Sequence, residues 1–151
     1  MQLIKNKTVT DDNWNFISDG AALVKGDICV SLARWQQIKP ELLSHTGKLG
    51  VRIGPADSVA ELADDLPKLD LIELDFPDFA DGRLFSHAWL LRGRYGFKGE
   101  LRATGHFMPD QVFYLSRVGI DAFKPADSAY LPKVLENLHD FTVNYQQSIV
   151  N

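Results

Sequence analysis

The stretch that decides the fold is LDLIELDF, residues 69–76. In an extended strand alternate side chains share a face, so Ile72, Leu74 and Phe76 point one way while Glu73 and Asp75 point the other. The same division recurs on both sides of it. Leu49, Val51 and Ile53 oppose Arg52; Leu101 and Ala103 oppose Glu100, Arg102 and Thr104; Phe123 opposes Lys124. One face of the implied sheet is apolar and the other is charged.

These runs belong to a series of five: Ile28 to Leu32, Leu49 to Ile53, Leu69 to Phe76, Glu100 to Thr104 and Ala122 to Lys124. Each is short, bounded by Gly, Pro or Asp, and separated from the next by a helix-length segment. Ser31 or Leu32 leads into a helix over Ala33 to Ser44, which Pro40 should kink. Asp57 with Glu61 starts a second over Asp57 to Leu66. Asp81 precedes a third over Arg83 to Tyr95, and Asp127 or Ser128 opens the last. That last helix carries an apolar stripe: Tyr130, Leu131, Val134, Leu135, Leu138, Phe141 and Tyr145.

Strands alternating with helices imply a mostly parallel sheet of about five βα units. A doubly wound, flavodoxin-like sheet buries both faces and reads as nearly continuous apolar runs. The charged face therefore points instead to a partial βα-barrel or one-sided sheet, with Arg52 and Arg102 flanking Glu73 and Asp75 if the strands lie in chain order. Residues 1–27 read as an N-terminal strand or hairpin extension with polar turns at Lys5-Asn6-Lys7 and Asp11-Asp12-Asn13. Residues 28–147 carry the βα repeats, and the whole of 1–151 reads as a single α/β domain.

The composition is that of an ordinary globular protein, with 45% hydrophobic and 24% charged residues. Sixteen basic against 20 acidic side chains leave a net charge of −4, which argues against a nucleic-acid binder. No apolar run is long enough for a membrane span or a signal peptide, so the expectation is a cytoplasmic protein. The single cysteine, Cys29, excludes an intramolecular disulfide and reads as a small buried hydrophobe.

In parallel α/β proteins ligands gather beyond the carboxyl ends of the strands. That edge selects Asp75, Asp78, Asp81, Arg83, Ser86 and His87 after the third strand, and Thr104, Gly105, His106, Asp110 and Gln111 after the fourth. Arg83 at a helix start, with Ser86, Arg102 and Gln111, makes a candidate anion site; Asp75, Asp110 and His106 are the candidate acid–base groups. The competing reading is that Asp81 caps the helix and Arg83 pairs with Asp75 or Asp78. Gly93, Gly96 and Gly99 run from a helix into a strand, the wrong order for a dinucleotide loop. No cofactor motif is evident, though flavin and nicotinamide nucleotides are left open, and no metal-ligand spacing stands out.

From Leu74 to Phe123 the chain carries Phe76-Pro77-x-Phe79-x-Asp81-Gly82-Arg83, Ser86, Ala88 and Leu90-Leu91-Arg92. Then come Gly96-x-x-Gly99-Glu100-Leu101-Arg102-Ala103-x-Gly105, Asp110-Gln111 and Gly119-x-Asp121-Ala122-Phe123. In this it resembles a bacterial family of unknown function that bears the label of an oxidoreductase of sulfite reduction and is encoded beside assimilatory sulfite reductase. The resemblance implies a role in sulfur assimilation and marks Asp81, Gly82, Arg92, Gly105 and Asp121 as motif residues, by site or by scaffold. Three readings follow: an accessory protein docking on sulfite reductase or its electron donor, an enzyme binding a small anion or nucleotide at the strand edge, and a structural domain that forms homo-oligomers.

Overall fold

The computed structural model describes residues 1–78 and 82–139. The chain order is β1 (Gln2–Lys5), β2 (Thr8–Asp11), β3 (Asn15–Phe16), β4 (Ile28–Ser31), α1 (Leu32–Leu43), β5 (Leu49–Ile53), a 3₁₀ helix (Val59–Lys68), β6 (Leu71–Phe76) and α2 (Gly82–Trp89). A π-helical turn (Leu90–Arg94), β7 (Glu100–Gly105), α3 (Val112–Arg117) and β8 (Ala122–Pro125) follow. Residues 131–139 form α4. Asp81, Phe141 and Tyr145 lie outside the described residues.

The eight strands lie in the order β2-β1-β8-β7-β6-β5-β4-β3. From β3 to β8 every pairing is parallel and in chain order, with no point at which the order reverses, as a doubly wound sheet would require. The five expected strands are all present. The additional three come from the N-terminal extension: β1 and β2 form a hairpin whose two-residue turn, Asn6 and Lys7, has φ of 52° and 64°, and β1 adds antiparallel to β8. Two-residue β3 was too short to show an alternation.

The connection between β2 and β3 determines the curvature. These strands are the two outer edges of the sheet, yet only residues 12–14 join them. A flat sheet of eight strands would hold its edges about 34 Å apart at roughly 4.8 Å per strand, whereas four Cα steps reach at most ~14 Å. The sheet has to curl into a half-barrel, with residues 12–14 as a strap across its open side.

Among the described residues the helices pack against the apolar, outer face. Ile72, Leu74, Phe76, Leu101, Ala103 and Phe123 join Trp35, Leu42, Leu62, Leu84, Leu91, Val112, Leu115 and Val134 in one buried apolar cluster. The Ser31 hydroxyl caps α1 by accepting the Arg34 N–H at 3.2 Å. The helix breaks at Ile38 (φ −124°, ψ 31°), just ahead of Pro40, whose ring cannot follow a regular turn. The second expected helix starts later than the sequence suggested. The Asp57 carboxylate accepts the Gly54 N–H at 2.7 Å within the preceding turn, and the segment from Val59 is a 3₁₀ helix. Its Asp65 is buried against α1, accepting from Trp35 Nε1 at 2.9 Å and pairing with Lys39 at 2.7 Å.

Candidate functional site

The inner face of the half-barrel carries an ion-pair cluster. Register places Arg52 beside Glu73 and Glu73 beside Arg102 on three adjacent strands. Arg52 Nε donates to Glu73 Oε1 at 2.6 Å. Arg102 Nη1 lies 3.4 Å from Glu73 Oε2, and its Nη2 pairs with Glu100 at 2.7 Å. Lys5 closes on Glu100 from β1 at 2.9 Å. Glu73 and Arg102 are each only 2% exposed, so these charges are interior groups that need one another. Of the expected flanking of Glu73 and Asp75 by Arg52 and Arg102, the Glu73 part is realised, whereas Asp75 lies in register with Thr104.

A carboxylate distant in sequence completes the cluster. Asp12, in the strap, accepts from Arg102 at 3.3 Å and from Lys124 Nζ at 2.5 Å, and takes the Trp14 N–H at 3.0 Å. Four residues on, the Phe16 ring lies over the Arg52 guanidinium, 3.6 Å from its centroid. Burial pushes the Asp12 carboxyl up, but the hydrogen bonds from Lys124 and Trp14 and the positive charge of Arg102 outweigh it and hold the group below its usual value. Burial works against the charge on Arg102, and Glu100, Asp12 and Glu73 more than reverse it, raising the guanidinium above its ordinary value. Cys29 is buried on β4; burial, then Glu73, pushes its thiol well up, away from the thiolate a reactive cysteine needs.

The carboxyl edge of the strands is more open. Asp75 lies at the end of β6, Arg83 and Ser86 are exposed on α2, and His106 and Asp110 are exposed after β7. Gln111 turns back on its own loop, its Oε1 accepting the Met108 N–H at 2.7 Å. Of the candidate anion-binding residues, Arg102 sits inside with three carboxylates, whereas Arg83, Ser86 and Gln111 belong to the edge. Among the described residues no group of three or more His, Cys, Asp or Glu side chains is placed to hold a metal ion.

Residues 50–151 match the family model described as bacterial protein of unknown function, DUF934. The chain belongs to this family. No curated protein matches it. The DUF934 region starts within β5, so Arg52, Glu73, Glu100, Arg102 and Lys124 lie inside it while Lys5, Asp12 and Phe16 lie outside.

Several motif residues of the DUF934 region lock the loops at the opposite, amino end of the strands. Arg92 donates to the carbonyls of Gly119 at 2.9 Å and of Phe97 and Gly99 at 2.8 Å each, and lies 3.5 Å from Asp121. Asp121 in turn accepts the Leu101 N–H at 2.9 Å; burial, the largest influence on it, raises its carboxyl. Gly119 has φ of +102° and lies against the Arg92 side chain, leaving no room for a Cβ. Gly105, also at positive φ, would place a Cβ 2.6 Å from the Phe76 carbonyl oxygen. These positions hold backbone together. Gly82 begins α2.

The outer helical surface of the DUF934 region exposes aromatic side chains. Trp89 is 60% exposed, Tyr114 57% and Phe85 37%. Phe85 and Trp89 are four apart on α2 and so share a side. Trp89, Arg92 and Gly93 border a recess of about 260 Å³ with Arg117, Val118 and Gly119, so α2 and α3 meet there. Tyr114 precedes Arg117 by one helical turn. Trp35, by contrast, is core, with no exposure, and Trp89 is surface.

Proposed function

We propose that this protein is a non-catalytic accessory of assimilatory sulfite reduction that docks on sulfite reductase through the outer face of α2 and α3. The observation that carries the reading is the contrast between the two surfaces. Glu73 and Arg102 are buried on the inner face, whereas Phe85, Trp89 and Tyr114 are exposed on the outer one. Aromatic side chains are the residue types enriched at protein interfaces and at their energetic hot spots.

The partner's chemistry follows from the same face. Arg117 beside Trp89, with exposed Arg94 at the end of the π-helical turn, sets positive charge around an aromatic centre on a chain of net −4. An acidic patch with an apolar centre complements it. The sulfite reductase assignment rests on the sequence resemblance, which spans Leu74 to Phe123 and therefore includes both helices.

The test is co-purification from defined components. Tagged full-length protein is mixed with purified sulfite reductase at low salt and resolved by size exclusion. Co-elution that weakens as salt rises supports docking; separate elution at every salt concentration contradicts it.

A further inference from the structure

We propose that the corner formed by Arg102 and Lys124 is a binding site for a small inorganic oxyanion, and that the Asp12 carboxylate is its built-in, displaceable occupant. The geometry is that of an anion cradle. One oxygen of Asp12 lies 3.3 Å from Arg102 Nη1 and the other 2.5 Å from Lys124 Nζ, so guanidinium and ammonium hold the carboxylate between them.

The charge of the ligand follows from what remains when Asp12 leaves. Within the ion-paired cluster Lys5, Arg52, Arg102 and Lys124 would then face Glu73 and Glu100, an excess of two positive charges, with Arg102 buried and the two lysines and Arg52 partly exposed. An excess of two is matched by a dianion such as sulfate, hydrogen phosphate or sulfite. The cradle's two cations lie within the region shared by the DUF934 family and the plug lies outside it.

The plug sits between two exposed edge strands. All four residues of β2 and both residues of β3 are exposed, and so is Asn13 in the strap between them. Segments with few buried apolar contacts open locally long before the whole fold does. Ile17 is the first buried apolar residue after the strap. Swinging residues 12–16 aside also lifts Phe16 from Arg52 and opens the inner face to solvent.

The experiment uses the full chain as wild type, Asp12→Ala and Asp12→Ala with Lys124→Gln, each melted in sodium sulfate and in sodium chloride at equal ionic strength. Asp12→Ala should gain a saturable rise in melting temperature with sulfate, at an apparent Kd at least tenfold below that of wild type, and the added Lys124→Gln should abolish it. Equal effects of sulfate and chloride on Asp12→Ala, or a sulfate effect that survives Lys124→Gln, would overturn the site. Sodium acetate acting as well as sulfate would overturn the dianion assignment. Should Asp12→Ala not fold, hydrogen exchange on the wild type decides. The Trp14 and Asn15 amides, bonded to Asp12 and to the Asp27 carbonyl, should exchange several-fold faster in saturating sulfate than in chloride, and unchanged rates would overturn displacement.

Discussion

Leu101 and Arg102 are neighbours in β7 and both are buried, yet they look into different worlds. Leu101 points into hydrocarbon beneath the helices, and Arg102 points into a cluster of carboxylates inside the curl. The two faces of one sheet are thus stabilised by different physics. The outer face gains from removing apolar surface from water, which is non-directional and tolerant. The inner face depends on each charge keeping its partner, so it tolerates the loss of any one poorly.

The largest expected effect comes from breaking the inner face. Arg102→Ala leaves Glu73, Glu100 and Asp12 facing one another without their shared guanidinium and should cost about 3–5 kcal/mol in urea denaturation. Leu101→Ala, one residue away, should cost about 3 kcal/mol through lost burial and a cavity. The comparison sharpens with pH. The deficit of Arg102→Ala should shrink as the medium becomes acidic enough to protonate the stranded carboxylates, while that of Leu101→Ala should stay constant.

A smaller effect isolates the strap. The Asp12 carboxyl titrates below its ordinary 3.8 in the folded protein, so its contribution is fully present above that pH and fades as pH falls through the folded value. Melting temperatures of wild type and Asp12→Asn should therefore differ most near neutrality and converge below 3.8. Asp121, whose carboxyl is raised, works in the opposite sense: its contribution improves as pH falls. The smallest stability effect belongs to the exposed face, where Trp89→Ala should change unfolding by no more than about 0.5 kcal/mol.

Much of this architecture was legible because periodicity in strands is strictly two. LDLIELDF separates Glu73 and Asp75 from Ile72, Leu74 and Phe76 with no further information, and chain-order pairing then brings Arg52, Glu73 and Arg102 together. Asp12 was not legible as part of the site. It read as one of three polar turn residues, and its partners are 90 and 112 positions away, a separation no local pattern encodes. The early end of α2 as a π-helical turn was hidden for a related reason. The Tyr95 N–H reaches the Leu90 carbonyl while Arg92 fastens two carbonyls of the loop ahead of β7 and one, Gly119, ahead of β8, so bonds beyond the helix shape its end. The aromatics of α2 were visible, but exposure is a property of the packed protein. The 60% exposure of Trp89, against none for Trp35, distinguishes a surface from a core residue.

The measurement that tests the central claim most directly is a sedimentation titration of purified sulfite reductase with wild type and with Trp89→Ala, alongside their melting temperatures. The account expects Trp89→Ala to lose at least tenfold in affinity while melting with the wild type, because Trp89 is the most exposed of the three aromatics on the docking face and lies outside the core. Undiminished binding by Trp89→Ala, or no binding by the wild type, would contradict it.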